Sequence, residues 1–115
     1  KMEEYIGVRP PSVVEGVLQD VHWSHGLIGY FPTYTLGTVL AVQLYDVVLA
    51  EHPELPDEIA KGKFVLLRDW MQKNVYQHGS LYTPKELVRK VTGSGIVAKP
   101  YLTYIKEKYA EVYGI

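Results

Sequence analysis

The apolar positions of this chain recur every three or four residues over most of its length. Nowhere do they alternate with period two for long enough to predict a strand. Leu36, Val39, Leu40, Leu44, Val47 and Val48 form the longest series, apolar round so much of its circumference that a buried helix is expected. Pro32 suits the first turn of that helix, where a missing N–H is no loss, and Pro53 sets its end near His52. Upstream, Ser12 follows Pro10 and Pro11 and can cap a shorter helix through Val13, Val14, Val17 and Leu18 towards Val21. Gly26 and Gly29 then interrupt regularity.

Downstream, residues 53–62 predict a short acidic helix and a turn. Over residues 64–76, Phe64, Leu67, Met71 and Val75 make one stripe with Leu66 and Trp70 beside it, and Gly79 closes the helix. Thr83-Pro84-Lys85-Glu86 is a capping box with proline in the first helical position, continued by Leu87, Val88 and Val91 and stopped by Gly93. The last helix spans residues 97–112, with Leu102, Ile105, Tyr109 and Val112 expected to face inward. The fold class is therefore all-α. The chain reads as a single helical unit, residues 1–115, with a motif-bearing segment at 16–37 and a helical remainder at 38–115.

Composition narrows the function. The 115 residues suit one modest core. A net charge of -1 carries no electrostatic footprint for nucleic acid, and no apolar run of about 18 residues predicts a membrane span. There is no cysteine, hence no disulfide framework or thiolate metal site, in keeping with a cytoplasmic location. The N-terminus lacks the apolar core of a signal peptide and starts at Lys1, as a processed or cloned piece would. Ten tyrosines stand against two Phe and two Trp. Of these, Tyr101, Tyr104, Tyr109 and Tyr113 recur on the last helix and read as packing.

Chemistry concentrates between Gly16 and Tyr34. A carboxamide (Gln19), a carboxylate (Asp20), two imidazoles (His22, His25) and an indole (Trp23) precede two phenols (Tyr30, Tyr34). His22 and His25 are three apart and on a helix would share a face, within reach of one metal. Two nitrogens alone fall short of the three or four ligands zinc takes. The plainer reading is one buried, hydrogen-bonded His and one partly exposed. Asp20 can orient the His22 imidazole through its Nδ1–H, or cap the next turn. Gln19 and Asp20, polar within an apolar run, imply buried hydrogen bonding, and Trp23 reads as core. No phosphate loop, G-x-S-x-G elbow or H-E-x-x-H motif is present.

Gly16-x-x-Gln19-Asp20-x-His22-Trp23 resembles the G-x-x-Q-D-x-H-W motif of the thermostable zinc carboxypeptidases, the carboxypeptidase Taq-like family. The resemblance continues from His25 to Gly37, at His78-Gly79-x-Leu81-Tyr82-Thr83-Pro84, and at Tyr109-x-x-x-Tyr113-Gly114, and so covers essentially the whole chain. It implies the C-terminal portion of a large, mostly helical and usually homodimeric enzyme. Such enzymes remove single residues from peptide C-termini, using zinc or cobalt held by H-E-x-x-H and a downstream Glu. None of those ligands is in this sequence, so the resemblance implies that this portion binds no metal and is inactive without the rest of the same enzyme.

His25, Gly29, Tyr30 and Tyr34 also fit the H-x-x-x-G-Y-x-x-x-Y spacing of the thimet-type oligopeptidases. That resemblance implies that His25, Tyr30 and Tyr34 donate hydrogen bonds to the scissile peptide and its oxyanion. Gln19, Asp20, His22 and Trp23 then bind substrate or support the site. A structural alternative makes Tyr30 and Tyr34 the buried start of the long helix. Two further readings stand beside the peptidase: a non-catalytic helical interaction module, and a small metal-binding protein using His22 and His25.

Overall fold

A computed structural model describes residues 1–114, and every regular element among them is helical. In chain order, α1 spans Met2–Ile6, α2 Val21–Ser24, α3 Pro32–Glu51, α4 Leu55–Ala60, α5 Val65–Asn74, α6 Pro84–Thr92 and α7 Lys99–Tyr113. Single 3₁₀ turns occupy Val17–Gln19 and Tyr76–His78. By its contacts the chain groups into two compact units, Lys1–Tyr34 and Thr35–Ile115, so the boundary falls in the first turn of α3.

In the first unit the helix expected after Ser12 does not form. The Ser12 hydroxyl does accept the Glu15 N–H at 3.3 Å, as a cap should. At Gly16 the backbone leaves the helical region, with φ -112° and ψ -112°. A Cβ there would stand 3.1 Å from Pro10 Cβ and 3.2 Å from the Ser12 carbonyl oxygen. Gly16 is thus where the chain folds back on Pro10. Beyond it the chain forms a 3₁₀ turn and then the four-residue α2.

The second unit is centred on Val48 of α3, Leu55 of α4 and Trp70 of α5. Leu44, Val47, Ile59, Leu66, Leu67, Met71, Val75 and Val91 pack around them. The α5 register differs from expectation: Trp70 faces the core, while Phe64 is more than half exposed. The Trp70 indole N–H donates to Glu51 Oε2 at 2.8 Å, which satisfies its polar edge. Deeper along α3, Gln43 is buried; its amide donates to the Gly95 carbonyl at 2.9 Å and its oxygen accepts the Val97 N–H at 3.1 Å. One side chain thereby ties α3 to the α6–α7 connection.

Two expectations fail on burial. Only Val39, Gln43 and Val48 of α3 are buried, although the helix is apolar nearly all round. On α7, Leu102, Tyr104, Tyr109, Val112 and Tyr113 are exposed, and the inward positions are Tyr101, Ile105 and Ala110. The rest of α3 is half-buried or exposed, with Leu44, Tyr45, Val47 and Leu49 partly covered by the core, and the outer apolar positions of α7 remain exposed. By length and composition alone α3 is also long and apolar enough to cross a membrane, although polar residues interrupt its apolar run.

The capping box forms as read. The Thr83 hydroxyl accepts the Glu86 N–H at 3.4 Å, and Glu86 Oε2 accepts the Thr83 N–H at 2.8 Å. Those two bonds satisfy two otherwise orphaned N–H groups, while the Thr83 O–H, donating to Glu86 Oε2 at 2.7 Å, and then the Thr83 N–H hold the Glu86 carboxyl below the usual carboxylate range. Thr83→Ala is expected to cost about 1 kcal/mol. Hydrogen exchange should report it as faster opening of α6 with α5 unchanged.

Candidate functional site

The motif segment is built from a capped one-turn helix and two glycine turns. Asp20 is extended, and its carboxylate caps α2 by accepting the His22 N–H at 3.0 Å. After α2 the chain turns at Gly26 and Gly29, with φ of 74° and 77°, conformations that a Cβ disfavours. Pro32 then opens α3, and Tyr34 lies in its first turn. Two glycine turns within four residues bring the start of α3 back beside α2.

His22 is the centre of the resulting cluster. Its Nδ1 lies 2.6 Å from Asp20 Oδ1 and its Nε2 lies 3.3 Å from the Tyr34 hydroxyl. The imidazole stacks on Tyr30 at 5.3 Å between centroids and meets Phe31 edge-on at 5.8 Å. Tyr30 and Tyr34 meet edge-to-face at 5.6 Å. The two roles open to Asp20 in the sequence are both filled, since one oxygen caps the helix and orients the ring. The His22 imidazole beside Asp20 holds that carboxyl below the usual aspartate range, and the backbone N–H of His22 adds to the effect.

The other residues singled out in the sequence are placed differently. His25 enters only through its backbone: its N–H donates to the His22 carbonyl at 3.2 Å and its side chain is exposed. Gln19 is exposed rather than buried, and its amide donates to the Val14 carbonyl at 2.7 Å, closing the preceding turn. Trp23 is 57% exposed in this chain, because α2 is one turn long and its His22 side faces the tyrosines. Tyr30 and Tyr34 are also exposed in this chain, and Tyr30 precedes the first residue of α3. Phe31 carries no signal of its own in the sequence, yet its ring packs against both His22 and Tyr34.

Metal ligation by His22 and His25 does not fit this geometry, because both ring nitrogens of His22 already have partners. Among the described residues no three His, Asp, Glu or Cys side chains converge. The remaining imidazoles are separate: His52 pairs with Glu54 at 3.3 Å, and His78 packs edge-to-face on Tyr82. A groove of about 890 Å³ runs between α3 and α7, lined by Tyr45, Leu49, Pro100 and Tyr104 among others, and includes no motif residue. The motif cluster is an open surface of hydrogen-bonding groups. It can present a phenol and an imidazole to a ligand.

Comparison with known proteins agrees with the motifs. The family model described as carboxypeptidase Taq (M32) metallopeptidase matches residues 1–109. The thermostable carboxypeptidase 1 of Pyrococcus furiosus is 43% identical over 109 residues, which is 95% of this chain and 22% of that protein. Carboxypeptidase 1 of Bacillus subtilis is 34% identical over 113 residues, 98% of this chain and 23% of that protein. Among solved structures, the M32 carboxypeptidase of Deinococcus radiodurans superposes with a TM-score of 0.92 at 45% identity, covering 99% of this chain and 23% of that one. The chain therefore spans little more than a fifth of the length of the relatives it matches.

Proposed function

The chain belongs to the carboxypeptidase Taq (M32) metallopeptidase family, and from that premise we propose that it is the C-terminal part of a metal-dependent carboxypeptidase that releases single amino acids from peptide C-termini. In this reading it supplies one wall of the active-site cleft and does not act alone. The observation that carries it is the Asp20–His22–Tyr34 chain of contacts, in which a half-buried carboxylate and imidazole back an exposed phenol.

The described residues do not fit a resident metal, since no three candidate ligands converge. The family resemblance assigns the zinc or cobalt of the whole enzyme to an H-E-x-x-H motif and a downstream Glu, which this sequence lacks. Its own residues hold a substrate. Tyr34 and His25 donate hydrogen bonds to the scissile peptide and to the oxygen on which charge builds, with Tyr30 beside Tyr34. Asp20 and His22 hold the first of these, and Gln19 braces the preceding turn. The uncovered faces of α3 and α7 are assigned to contact with the rest of the enzyme, which the family resemblance makes a homo-oligomer.

The purified 115-residue chain is expected to release no C-terminal amino acids with zinc or cobalt added. The full-length product of the same gene should release them under the same conditions. Metal-dependent release by the chain alone, free of full-length enzyme, overturns the first half. An inactive, fully metal-loaded full-length protein overturns the second in favour of a helical interaction module.

A further inference from the structure

The contacts through His22 have a direction that the chemistry of the groups decides. A carboxylate only accepts hydrogen bonds. Asp20 Oδ1 is 2.6 Å from His22 Nδ1, so that nitrogen carries a hydrogen whether the ring is neutral or charged. The carboxylate is itself aimed by the helix cap it makes with the His22 N–H. The neutral ring is then the Nδ1–H tautomer, and its Nε2 turns a lone pair towards the Tyr34 oxygen at 3.3 Å. In that state the Tyr34 O–H donates to the ring and its proton points inward. In the imidazolium both nitrogens donate. Nε2–H then bonds the Tyr34 oxygen, and the phenolic proton turns outward to donate away from the ring.

We propose that Asp20 and His22 are positioning residues for the reaction, and that the protonation of His22 decides whether Tyr34 presents a proton or a lone pair to the substrate. The inference rests on the functional reading in which Tyr34 is a donor. The ring has little freedom to escape this role, since Tyr30 stacks on it, Phe31 meets it edge-on and both nitrogens are bonded. The titratable groups facing it are Asp20 from the turn before α2, Tyr30 from the turn before α3, and Tyr34 from α3. Among the described residues, the Lys and Arg ion pairs all lie elsewhere. Neither state breaks a covalent bond between heavy atoms; one proton is gained or lost at Nε2, and the Tyr34 O–H reorients.

The first test needs no activity. In ¹⁵N-histidine NMR spectra of the metal-free full-length enzyme, neutral His22 should be the Nδ1–H tautomer, and Asp20→Ala should move it towards Nε2–H. An Nε2–H tautomer in the unsubstituted protein overturns the proposal. The second test is the pH dependence of kcat in the metal-loaded enzyme. The unsubstituted enzyme should lose activity as His22 deprotonates. His22→Gln, whose amide does not titrate, should lack that limb, with kcat lower by about 10–100-fold and KM little changed. The same limb surviving in His22→Gln overturns the proposal. If the tautomer is as stated and Tyr34→Phe keeps wild-type kcat, the functional reading has failed and the placement of the proton has not.

Discussion

Trp70→Ala is expected to destabilise the second unit by about 3–5 kcal/mol, the usual cost of truncating a buried aromatic. Trp70 is 5% exposed and stands beside Val48 and Leu55, so the truncation leaves a cavity that helices joined by short turns cannot collapse. Losing the indole N–H matters less, because its partner Glu51 is exposed and water can replace the donor. Trp70→Phe, which keeps most of the ring volume, should therefore recover the larger part of the loss. The other tryptophan is an internal control. Trp23 is 57% exposed, and Trp23→Ala should shift stability by about 0.5 kcal/mol or less. Denaturant unfolding of the 115-residue chain measures both. Equal losses from the two substitutions would falsify the assignment of the core.

That contrast bears on how far the sequence can be read. Both tryptophans lie in stretches that read as helical, and residue type alone does not say which of them is buried. Signals that act within one turn are legible: the Thr83–Glu86 capping box, Pro32 as the first residue of α3, and Gly93 as the stop of α6 all stand where the sequence places them. Signals that depend on the surface across a contact are not. Phe64 continues the α5 stripe but falls before its first turn, where the chain is still outside the core. The stripe on α7 is legible as a stripe, but burial needs a partner surface, and Leu102, Tyr109 and Val112 stay exposed. Gln43 carries a signal of another kind. A lone carboxamide in an apolar helix must find partners, and its partners fix the α6–α7 connection.

In the motif segment, residue identity is more informative than periodicity. Ser12 reads as the start of a helix and does start a turn, but Gly16 backs onto Pro10, a contact six residues away that no helical pattern records. The pairing of Asp20 with His22 is legible from their spacing of two. The pairing of His22 with Tyr34 is not, because it depends on the chain turning at Gly26 and Gly29, and glycine spacing allows the turns without giving their direction. His25 fits the oligopeptidase spacing, and the imidazole that the turns bring to the Tyr34 hydroxyl is that of His22.

Tyr34→Phe in the full-length, metal-loaded enzyme is expected to lower kcat by about 10² or more with little change in KM. The substitution removes one hydroxyl and leaves the ring, so the edge-to-face contact with Tyr30 and the packing against Phe31 persist. The Tyr34 ring is more than half exposed, and among its hydrogen bonds the one at stake is a 3.3 Å contact with His22, so the fold is expected to survive. A donor aimed at developing charge is worth more in the transition state than in the ground state, which is why the loss should appear in kcat and not in KM. Tyr34 is well suited to that work, because it sits in the first turn of a 20-residue helix, and sites on rigid elements are better preorganised than sites on loops. Its hydroxyl is held from behind by an imidazole that is itself held by a carboxylate and two aromatic rings. Wild-type kcat in a fully metal-loaded Tyr34→Phe enzyme leaves Tyr34 as a packing residue and returns the motif to a structural role.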